Sequence, residues 1–265
     1  MIETNSPAAA FLPNRVVSPA VMRIIIVGQA LIALAIWWFA PIRVLPRPDE
    51  VLHALGSLWM TQGLAYELIT SLTLNIQAIV WSTLISLLLS YFTVIPAFRP
   101  IALAVSKGRF LGLIGLTLIF TLTVGGGHTL KLSLLVFGMT VFFVTSMAAV
   151  VVELPSETFD YARTLGMKET RVVWDAVILG TADEAFEVMR QNAAIGWMML
   201  TMVEGISRSE GGIGAMLLNQ NKHFHIAEVF AIQLVILLVG ILQDYAIGAL
   251  RRLFCPYADL LVVRR

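Results

Sequence analysis

Apolar residues are grouped along the chain in six long stretches, which shorter polar segments separate. A helix needs about 20 predominantly apolar residues to cross the hydrocarbon core of a bilayer, which is about 30 Å thick. Since most of the stretches are of that order, the pattern predicts six transmembrane helices. The predicted spans are residues 21–40, 68–95, 110–124, 132–152, 185–203 and 226–250.

The third predicted span is the weakest of the six. Residues 110–124 are few for a bilayer core, and they are followed by three consecutive glycines, Gly125 to Gly127, which favour irregular backbone. Within a membrane such backbone persists only where protein or a wet cavity covers it. We therefore expect this span to extend back toward Ile101.

The segment 41–66, between the first two spans, has a different pattern. Three prolines are followed by apolar residues at helical spacing, namely Val51, Leu52, Leu55 and Leu58. This periodicity predicts an amphipathic helix at the membrane surface.

Composition agrees with a membrane protein of several spans. Of the 265 residues, 58% are apolar and 13% are charged, and the mean hydropathy is +0.85. These values exclude a disordered chain, a disulfide-rich secreted module and an ordinary cytosolic enzyme. A net charge of +1 without a basic stripe argues against nucleic acid as a partner, and the single cysteine, Cys255, permits no internal disulfide.

Most of the 18 Lys and Arg residues fall on the side of the membrane that carries both termini, if six spans are counted. Since basic residues accumulate in cytoplasmic loops, both termini are predicted to be cytoplasmic. The chain then divides into a tail at 1–20, a transmembrane domain at 21–252 with a cytoplasmic loop at 153–184, and a second tail at 253–265.

No catalytic motif is present in the sequence. Neither GxSxG nor HExxH occurs, the four histidines lack carboxylate partners at metal-binding spacing, and no glycine-rich phosphate loop is followed by Lys and Ser or Thr. We expect no enzyme activity, no metal and no cofactor in this chain.

The cytoplasmic loop at 153–184 carries the most informative pattern. Ser156, with Glu157 and Asp160 after it, suits a helix N-terminus. If the helix continues, Ala162 and Gly166 share a face that lacks bulky side chains. A smooth notch beside charged residues is suited to docking another protein.

This loop resembles the EAA loop of ATP-binding-cassette (ABC) importer permeases. The matching residues are Asp160-Tyr161-Ala162, then Gly166, then Ile178-Leu179. Asp160-Tyr161 stands where the family has Glu-Ala, Ile178 follows Gly166 by 12 positions instead of 10, and Gly180 replaces a proline.

Further positions are similar to the nitrate, sulfonate, taurine and bicarbonate branch of that family. The resemblance spans about residues 35–255 and leaves out the third span, where the branch has a proline-rich segment. The matches are Trp37-Trp38, 45–51, Ser71-Leu72, 162–166, Trp197, Glu204, 212–214, and Asp244 before Arg251-Arg252.

The resemblance implies the type I ABC importer permease fold in a bacterial inner membrane, with six transmembrane helices. It implies two copies of a separate ATPase subunit, which bind ATP and Mg²⁺, a second permease copy in a homodimer, and an extracytoplasmic substrate-binding protein. The residues implied to dock the ATPase, as part of a coupling helix, are Asp160, Tyr161, Ala162, Leu165 and Gly166.

Polar residues inside the predicted spans are candidates for the translocation pathway, because such residues are costly unless they face a partner or water. They are Asn75, Gln191, Asn192 and Trp197, and Glu204 at the external end of the fifth span is a further candidate. A role in helix–helix packing, without any contact to the solute, is an equally simple explanation for each of them. The glycine-rich segment 204–215 is a candidate contact for the binding protein.

Two other functions remain open at this stage. An ion-gradient-driven carrier or channel without an ATPase could use Glu187, Arg190 and Glu204 as coupling groups. A membrane scaffold without transport would leave the polar start of the fifth span unexplained. The solute, a small one of the nitrate, sulfonate, taurine or bicarbonate kind by resemblance, is not determined by the sequence.

Overall fold

The computed structural model describes residues 18–39, 45–207 and 210–257, and within them the chain is built from helices. The α-helices are α1 (Pro19–Phe39), α2 (Pro48–Thr61), α3 (Leu64–Phe92), α4 (Arg99–Lys107), α5 (Leu113–Val124), α6 (His128–Val152), α7 (Ser156–Thr164), α8 (Glu169–Val172), α9 (Ala182–Ile206), α10 (Ile213–Lys222) and α11 (Ile226–Phe254). A π-helical stretch, Val173–Leu179, continues α8. The predicted all-α fold is confirmed.

Four of these helices are long and apolar enough to cross a membrane, namely α1, α3, α6 and α11. The chain is a multi-pass membrane protein. Of the six predicted spans, four pass on length and composition among the described residues, or five if a bent pair is taken as one span.

The predicted third span is not a straight helix. α5 has 12 residues, which is about 18 Å of helix, and the helical segment Pro96–Phe110 before it is bent away by 114°. The expected extension toward Ile101 exists, but it turns a corner at Leu111 and Gly112. The pair is either a broken span or a re-entrant loop.

The predicted fifth span is present as α9, whose 25 residues correspond to about 37 Å. Its first half contains the charged residues Asp183, Glu184, Glu187 and Arg190. Because of these charges, α9 is not among the helices that are apolar enough by composition to cross a membrane. One side of α9 is nevertheless buried from Ala185 to Gly205. Its charges are therefore carried by a helix that packs inside the bundle.

The centre of the bundle is α6, which packs against α3 on one side and α9 on the other. The face that α3 turns inward is rich in small polar residues, namely Ser71, Ser82, Ser86 and Ser90. Small side chains let helix backbones approach closely where lipid provides no hydrophobic driving force. The core between these helices is formed by Leu74, Leu134, Met139 and Leu200.

The predicted amphipathic helix is observed as α2. It begins at Pro48, and the backbone N–H of Arg47 donates to the Glu50 carboxylate over 2.9 Å. Val51 and Leu58 are buried, whereas Leu52 is exposed, and the helix lies against α11. It is part of the protein surface and not a free-standing helix.

The bundle has two ends, which are named here by their short helices. The α7 end contains the passage from α6 through α7 and α8 into α9, together with the last turn of α11. The α10 end contains the start of α3, the end of α9 and α10. Residues 213–222, which the sequence analysis treated as loop, form α10.

The predicted tails lie largely outside the described residues. The loop predicted at 153–184 is mainly helical, and α9 already begins at Ala182. The tail predicted from residue 253 starts later, since α11 continues to Phe254 and Cys255 is buried. Tyr257 donates its hydroxyl to the Leu179 carbonyl over 3.2 Å, so this turn packs on the π-helical stretch.

Candidate functional site

The α7 helix ends in a glycine-dependent cap. Gly166 has a φ of +75°, and its N–H donates to the Arg163 carbonyl over 2.9 Å. The N–H of Met167 donates to the Ala162 carbonyl over 3.3 Å. These two bonds form a Schellman motif, in which glycine is favoured because a Cβ is strained at positive φ.

The predicted notch of Ala162 and Gly166 on one helix face is therefore wrong. The helix stops at Thr164, so Gly166 lies beyond it, and Ala162 is only 8% exposed because it packs inward. Nothing lies within 4 Å of a Cβ built on Gly166. Within this chain the glycine terminates the helix and does not shape its face.

The exposed face of α7 is formed by other residues of the predicted set. Tyr161 is 70% exposed and Leu165 is 58% exposed, and both are large apolar side chains at a polar end of the bundle. Asp160 is also exposed. These three residues are thus available to a partner, whereas Ala162 is buried behind them and Gly166 is exposed at the end of the helix.

Salt bridges hold the residues that follow α7 in place. Arg163 binds Glu169 over 2.8 Å and Asp160 over 3.1 Å. The hydrogen bond from Arg163 lowers the pKa of the Glu169 carboxyl, and the same bond raises the pKa of the Arg163 guanidinium. Since these groups are exposed, solvent screens the pairs and they orient the surface more than they stabilise the fold.

The segment after α7 is attached firmly to the bundle. Val172 in α8 and Val177 in the π-helical stretch are fully buried. Val177 belongs to a small apolar cluster with Phe143, Met147 and Val188 of α6 and α9. The segment that follows α7 is thus packed against α6 and α9.

At the α10 end, Glu204 is fully buried, although it lies at the end of the predicted fifth span, where a charge needs no buried partner. Its carboxylate accepts hydrogen bonds from the Ser71 hydroxyl over 2.6 Å and from the Gly214 N–H over 2.8 Å. The Ser71 oxygen accepts in turn from the Ile213 N–H over 2.7 Å. The carboxylate thereby fixes the start of α10 to α3 and α9.

Two more charged groups bind the glycines that precede α10. The Lys131 ammonium, on a side chain that is almost fully buried, donates to the Gly211 carbonyl over 2.8 Å. The Gly212 N–H donates to the Glu67 carboxylate. We call Glu67, Ser71, Lys131 and Glu204 the glycine-loop clamp.

Near the middle of the bundle, a glutamine joins two of the predicted pathway residues. The Gln243 carbonyl oxygen on α11 accepts from the Asn75 amide of α3 over 3.1 Å and from the Trp197 indole N–H of α9 over 3.0 Å. Asn75 is fully buried and Trp197 is 5% exposed. The predicted residues Asn75 and Trp197 are thus brought together, but through a residue that was not predicted.

The adjacent candidates Gln191 and Asn192 point in different directions. Gln191 is exposed and donates to the Glu187 carboxylate over 3.2 Å, whereas Asn192 is 4% exposed. The Asn192 side-chain oxygen has no hydrogen-bond partner among the described residues. The five predicted pathway residues therefore do not form one site, since Glu204 also lies apart in the clamp.

Charged residues of α9 and α11 form a second network. Arg190 donates to Glu187 over 2.7 Å and to both carboxylate oxygens of Asp244 over 3.0 and 3.1 Å. Arg251 lies 3.7 Å from Glu187 and 3.9 Å from Asp183. This network ties the α7 ends of the two helices together.

A groove with a cavity volume of about 550 Å³ runs between α9 and α11. We call it the α9–α11 groove, and its polar lining consists of Arg190, Trp197, Gln243, Asp244 and Tyr245. Ala193, Ala194 and Gly240 leave the space open because their side chains are small or missing. The groove is lined by one predicted pathway residue, Trp197, together with the charged residues Arg190 and Asp244.

Sequence reasoning missed Gln243 and the burial of Lys131. A glutamine inside an apolar span is itself a signal, because it requires a polar partner, and it could have been selected on that ground. Lys131 was assigned to an external loop because it precedes the predicted fourth span. The helix begins at His128, four residues before the predicted start at Leu132, and this carries Lys131 into the bundle.

No family model and no curated protein matches the sequence. Among solved structures, a chain from inward-facing structures of the MetNI methionine ABC transporter is similar in fold, with a TM-score of 0.59. The two sequences are 18% identical, and the match covers 74% of this chain and 97% of that one. The chain therefore shares the helical fold of that transporter chain.

Proposed function

We propose that the chain is the membrane-spanning permease subunit of an ATP-driven importer. The observation that carries this proposal is the fold shared with a chain of the MetNI transporter over nearly all of that chain's length. The resemblance of residues 160–166 to the EAA loop supports it independently, because that segment lies between two long helices of the bundle.

In this proposal the α7 end is cytoplasmic and docks a separate ATPase. Tyr161 and Leu165 are apolar, exposed and close to charged residues, which is the composition of a protein contact. Asp160 completes the docking surface, while Ala162 and Gly166 set the position and end of the helix. ATP and Mg²⁺ bind to the ATPase subunits, of which there are two.

The proposed mechanism is alternating access in a dimer of two permease copies. Closure of the ATPase dimer displaces α7, and the packing of Val172 and Val177 passes this displacement to α6 and α9. The bundle then opens toward a substrate-binding protein on the α10 side. There the clamp holds the glycine-rich segment 211–214 in a defined position for that contact.

The solute proposed from the sequence resemblance is a small polar one of the nitrate, sulfonate, taurine or bicarbonate branch, and the membrane is a bacterial inner membrane. Asn75, Trp197 and Asn192 are the predicted pathway residues that are buried between helices. Glu204 is engaged by Ser71 and Gly214, so we assign it to loop positioning. Gln191 is exposed beside Glu187 and stays a candidate.

The alternative of an ion-gradient carrier is less well supported. It would use Glu187, Arg190 and Glu204, but Glu187 and Arg190 are paired with each other and Glu204 accepts two short hydrogen bonds. Such a carrier also has no need for an exposed helix that is rigidly attached to two spans.

Co-purification of the tagged chain from its own membranes tests the proposal. Tyr161→Ala removes a 70% exposed ring from α7, and Tyr66→Ala removes a 73% exposed ring from the α10 end, so the two variants are matched. We expect an ATPase in two copies with the wild-type chain and with Tyr66→Ala, and at least a tenfold loss with Tyr161→Ala.

Intact-complex mass spectrometry gives the stoichiometry in the same experiment. A wild-type chain that is purified without an ATPase would contradict the importer. An ATPase that is retained equally by both variants would leave the importer standing and would remove α7 as its docking site.

A further inference from the structure

The helix α1 packs against very little of its own chain. Val21 is its one buried residue, and large apolar side chains are exposed on all of its faces. In its last turn, the Trp37 indole N–H donates to the Pro46 carbonyl over 3.0 Å, and the Trp37 ring packs against the core. Most of the length of α1 is thus open to lipid or to another protein.

A glutamine lies at the middle of this helix. Gln29 is midway between Pro19 and Phe39, so about 15 Å of helix separates it from either end. It is exposed, and its amide makes no hydrogen bond to any described residue. Lipid tails offer neither donor nor acceptor, and the side chain is too short to reach water from the centre of a bilayer. The Gln29 amide therefore indicates a polar partner from outside this bundle.

The helix α11 carries a second glutamine of the same kind. Gln233 is exposed within an apolar run of α11, and its amide is also unpaired among the described residues. In contrast, the exposed Gln77 of α3 forms a hydrogen bond with His128. A primary amide has both donors and an acceptor, so two such groups can satisfy each other. Gln29 and Gln233 are therefore complementary.

The face of α11 that carries Gln233 continues into the α9–α11 groove. Leu237, one turn further along α11, lines that groove. The groove also contains three residues with small side chains or none, namely Ala193, Ala194 and Gly240. Such residues let a second helix approach closely inside a membrane. No residue of α1 is part of this lining, so the groove is not filled by the chain's own first helix.

We propose that α1 of one copy packs along the α9–α11 groove of a second copy, with the Gln29 amide bonded to the Gln233 amide. Two-fold symmetry repeats the contact, so the two copies exchange their first helices. The occupant is a second copy and not lipid, because an acyl chain offers no hydrogen bond to either amide. This inference rests on the dimer of the proposed function and assigns the surface that joins its two copies.

Disulfide formation between two differently tagged chains tests the contact, in a Cys255→Ser background that has no other thiol. The first and sixth predicted spans run in opposite directions, so pairing of the two glutamines places Ile26 beside Leu237, one turn away. One chain carries Leu237→Cys. The other carries Ile26→Cys or, as the control, Val27→Cys, which points away from the Gln29 face. Ile26, Val27 and Leu237 are each 56% exposed, so the positions are matched.

In native membranes treated with a mild oxidant, we expect Ile26→Cys to form the mixed dimer with Leu237→Cys about fivefold more than Val27→Cys does, because a disulfide requires Cα atoms within about 7 Å. Equal yields would overturn the proposal. A disulfide between two Ile26→Cys chains in place of the mixed dimer would also overturn it, since α1 would then pair with α1. A disulfide that forms only within one chain would assign the groove to the chain's own helix.

Leucine variants test the amide pair. Gln29→Leu and Gln233→Leu should each lower the yield of the Ile26→Cys and Leu237→Cys dimer about threefold, which is the size expected for one hydrogen bond between membrane helices. The two variants together should lower it no further, because they remove the same bond. Leucine makes both helices more apolar, so membrane insertion is retained. Unchanged yields, or effects that multiply, would contradict the amide pair.

These measurements do not depend on an ATPase, so the two proposals can fail separately. A chain that forms the mixed dimer but is purified without an ATPase would overturn the importer and retain the exchanged helices. A complex with an ATPase and two permease copies, in which Ile26→Cys and Leu237→Cys form no mixed dimer, would do the reverse.

Discussion

The two ends of the bundle use charged residues in opposite ways. At the α10 end, Glu204 and Lys131 are buried and bind backbone groups of a glycine loop. At the α7 end, Arg163 and Glu169 are exposed and bind each other. The buried groups hold one conformation, whereas the exposed groups arrange a surface that another protein can contact.

The energetic difference follows from solvent. A hydrogen bond between a charged group and a buried partner contributes about 1.5–3 kcal/mol, and an unsatisfied buried group costs a similar amount. Exposed ion pairs are screened by water and salt, and many contribute nothing measurable. Substitutions at the α10 end should therefore affect the stability of the whole chain, and those at the α7 end should affect local order or binding.

The largest effect is expected for Glu204→Ala. It leaves the Ser71 hydroxyl and the Gly214 N–H without their acceptor, so we expect the free energy of unfolding to fall by about 3 kcal/mol. Thermal unfolding of the detergent-solubilised chain measures this change. Glu210→Ala alters an exposed carboxylate beside the same glycines and should leave the Tm unchanged. Equal shifts for the two variants would contradict the buried role of Glu204.

An intermediate effect is expected from a pair of glycine variants. Gly211 and Gly166 both have positive φ, but a Cβ on Gly211 meets the Glu67 carboxylate, whereas one on Gly166 meets open space. Gly166→Ala should therefore cost about 1 kcal/mol from the backbone alone, and Gly211→Ala should cost about twice as much.

Thermal unfolding and hydrogen exchange distinguish the two glycine variants. Gly211→Ala should lower the Tm, while Gly166→Ala should mainly accelerate exchange in α7. The control is Gly112→Ala, at a φ of −71° with no atom within 4 Å of the added carbon, and no change is expected for it. If Gly166→Ala lowered the Tm as much as Gly211→Ala, the two ends would not differ as described.

The smallest effect concerns acidification at the α7 end. Arg163 lowers the pKa of Glu169, so this carboxyl contributes stability at a pH above its ordinary pKa of about 4.3, and the contribution is lost as the pH falls through the lowered value. Hydrogen exchange of peptides from 156–172 should accelerate below about pH 4.3 beyond the intrinsic pH trend. Glu169→Gln should abolish this additional acceleration of exchange. If the acceleration persists in Glu169→Gln, another carboxyl is responsible for it.

The long helices could be predicted from the sequence because their apolar runs are uninterrupted, as in α3, α6 and α11. The broken pair α4 and α5 could not, since hydropathy averages over a window and does not detect a corner at Leu111 and Gly112. α10 was also missed. Its first turn is fixed by Glu204 of the preceding helix and by Ser71, which lies 142 residues away in the sequence.

The candidate site was predicted only in part. The pattern at 160–166 located an exposed helix, but spacing alone extended that helix through Gly166, where the left-handed backbone ends it. Asn75 and Trp197 were selected as polar groups in apolar helices, and they do meet. Their common partner Gln243 lies on a third helix. Such a contact depends on how the three helices pack, and the residues around each position in the sequence do not determine that packing.

The corner between α4 and α5 has a consequence for the lipid around the protein. α5 alone covers about 18 Å of a hydrocarbon layer that is about 30 Å thick, so if the bent pair is a broken span, the bilayer beside α5 must become thinner or tilt its acyl chains. Lys107 and Arg109 lie at the corner, where cationic side chains can reach phosphate headgroups drawn inward. The length of the lipid acyl chains should therefore affect the conformation of α5 and of the corner that precedes it.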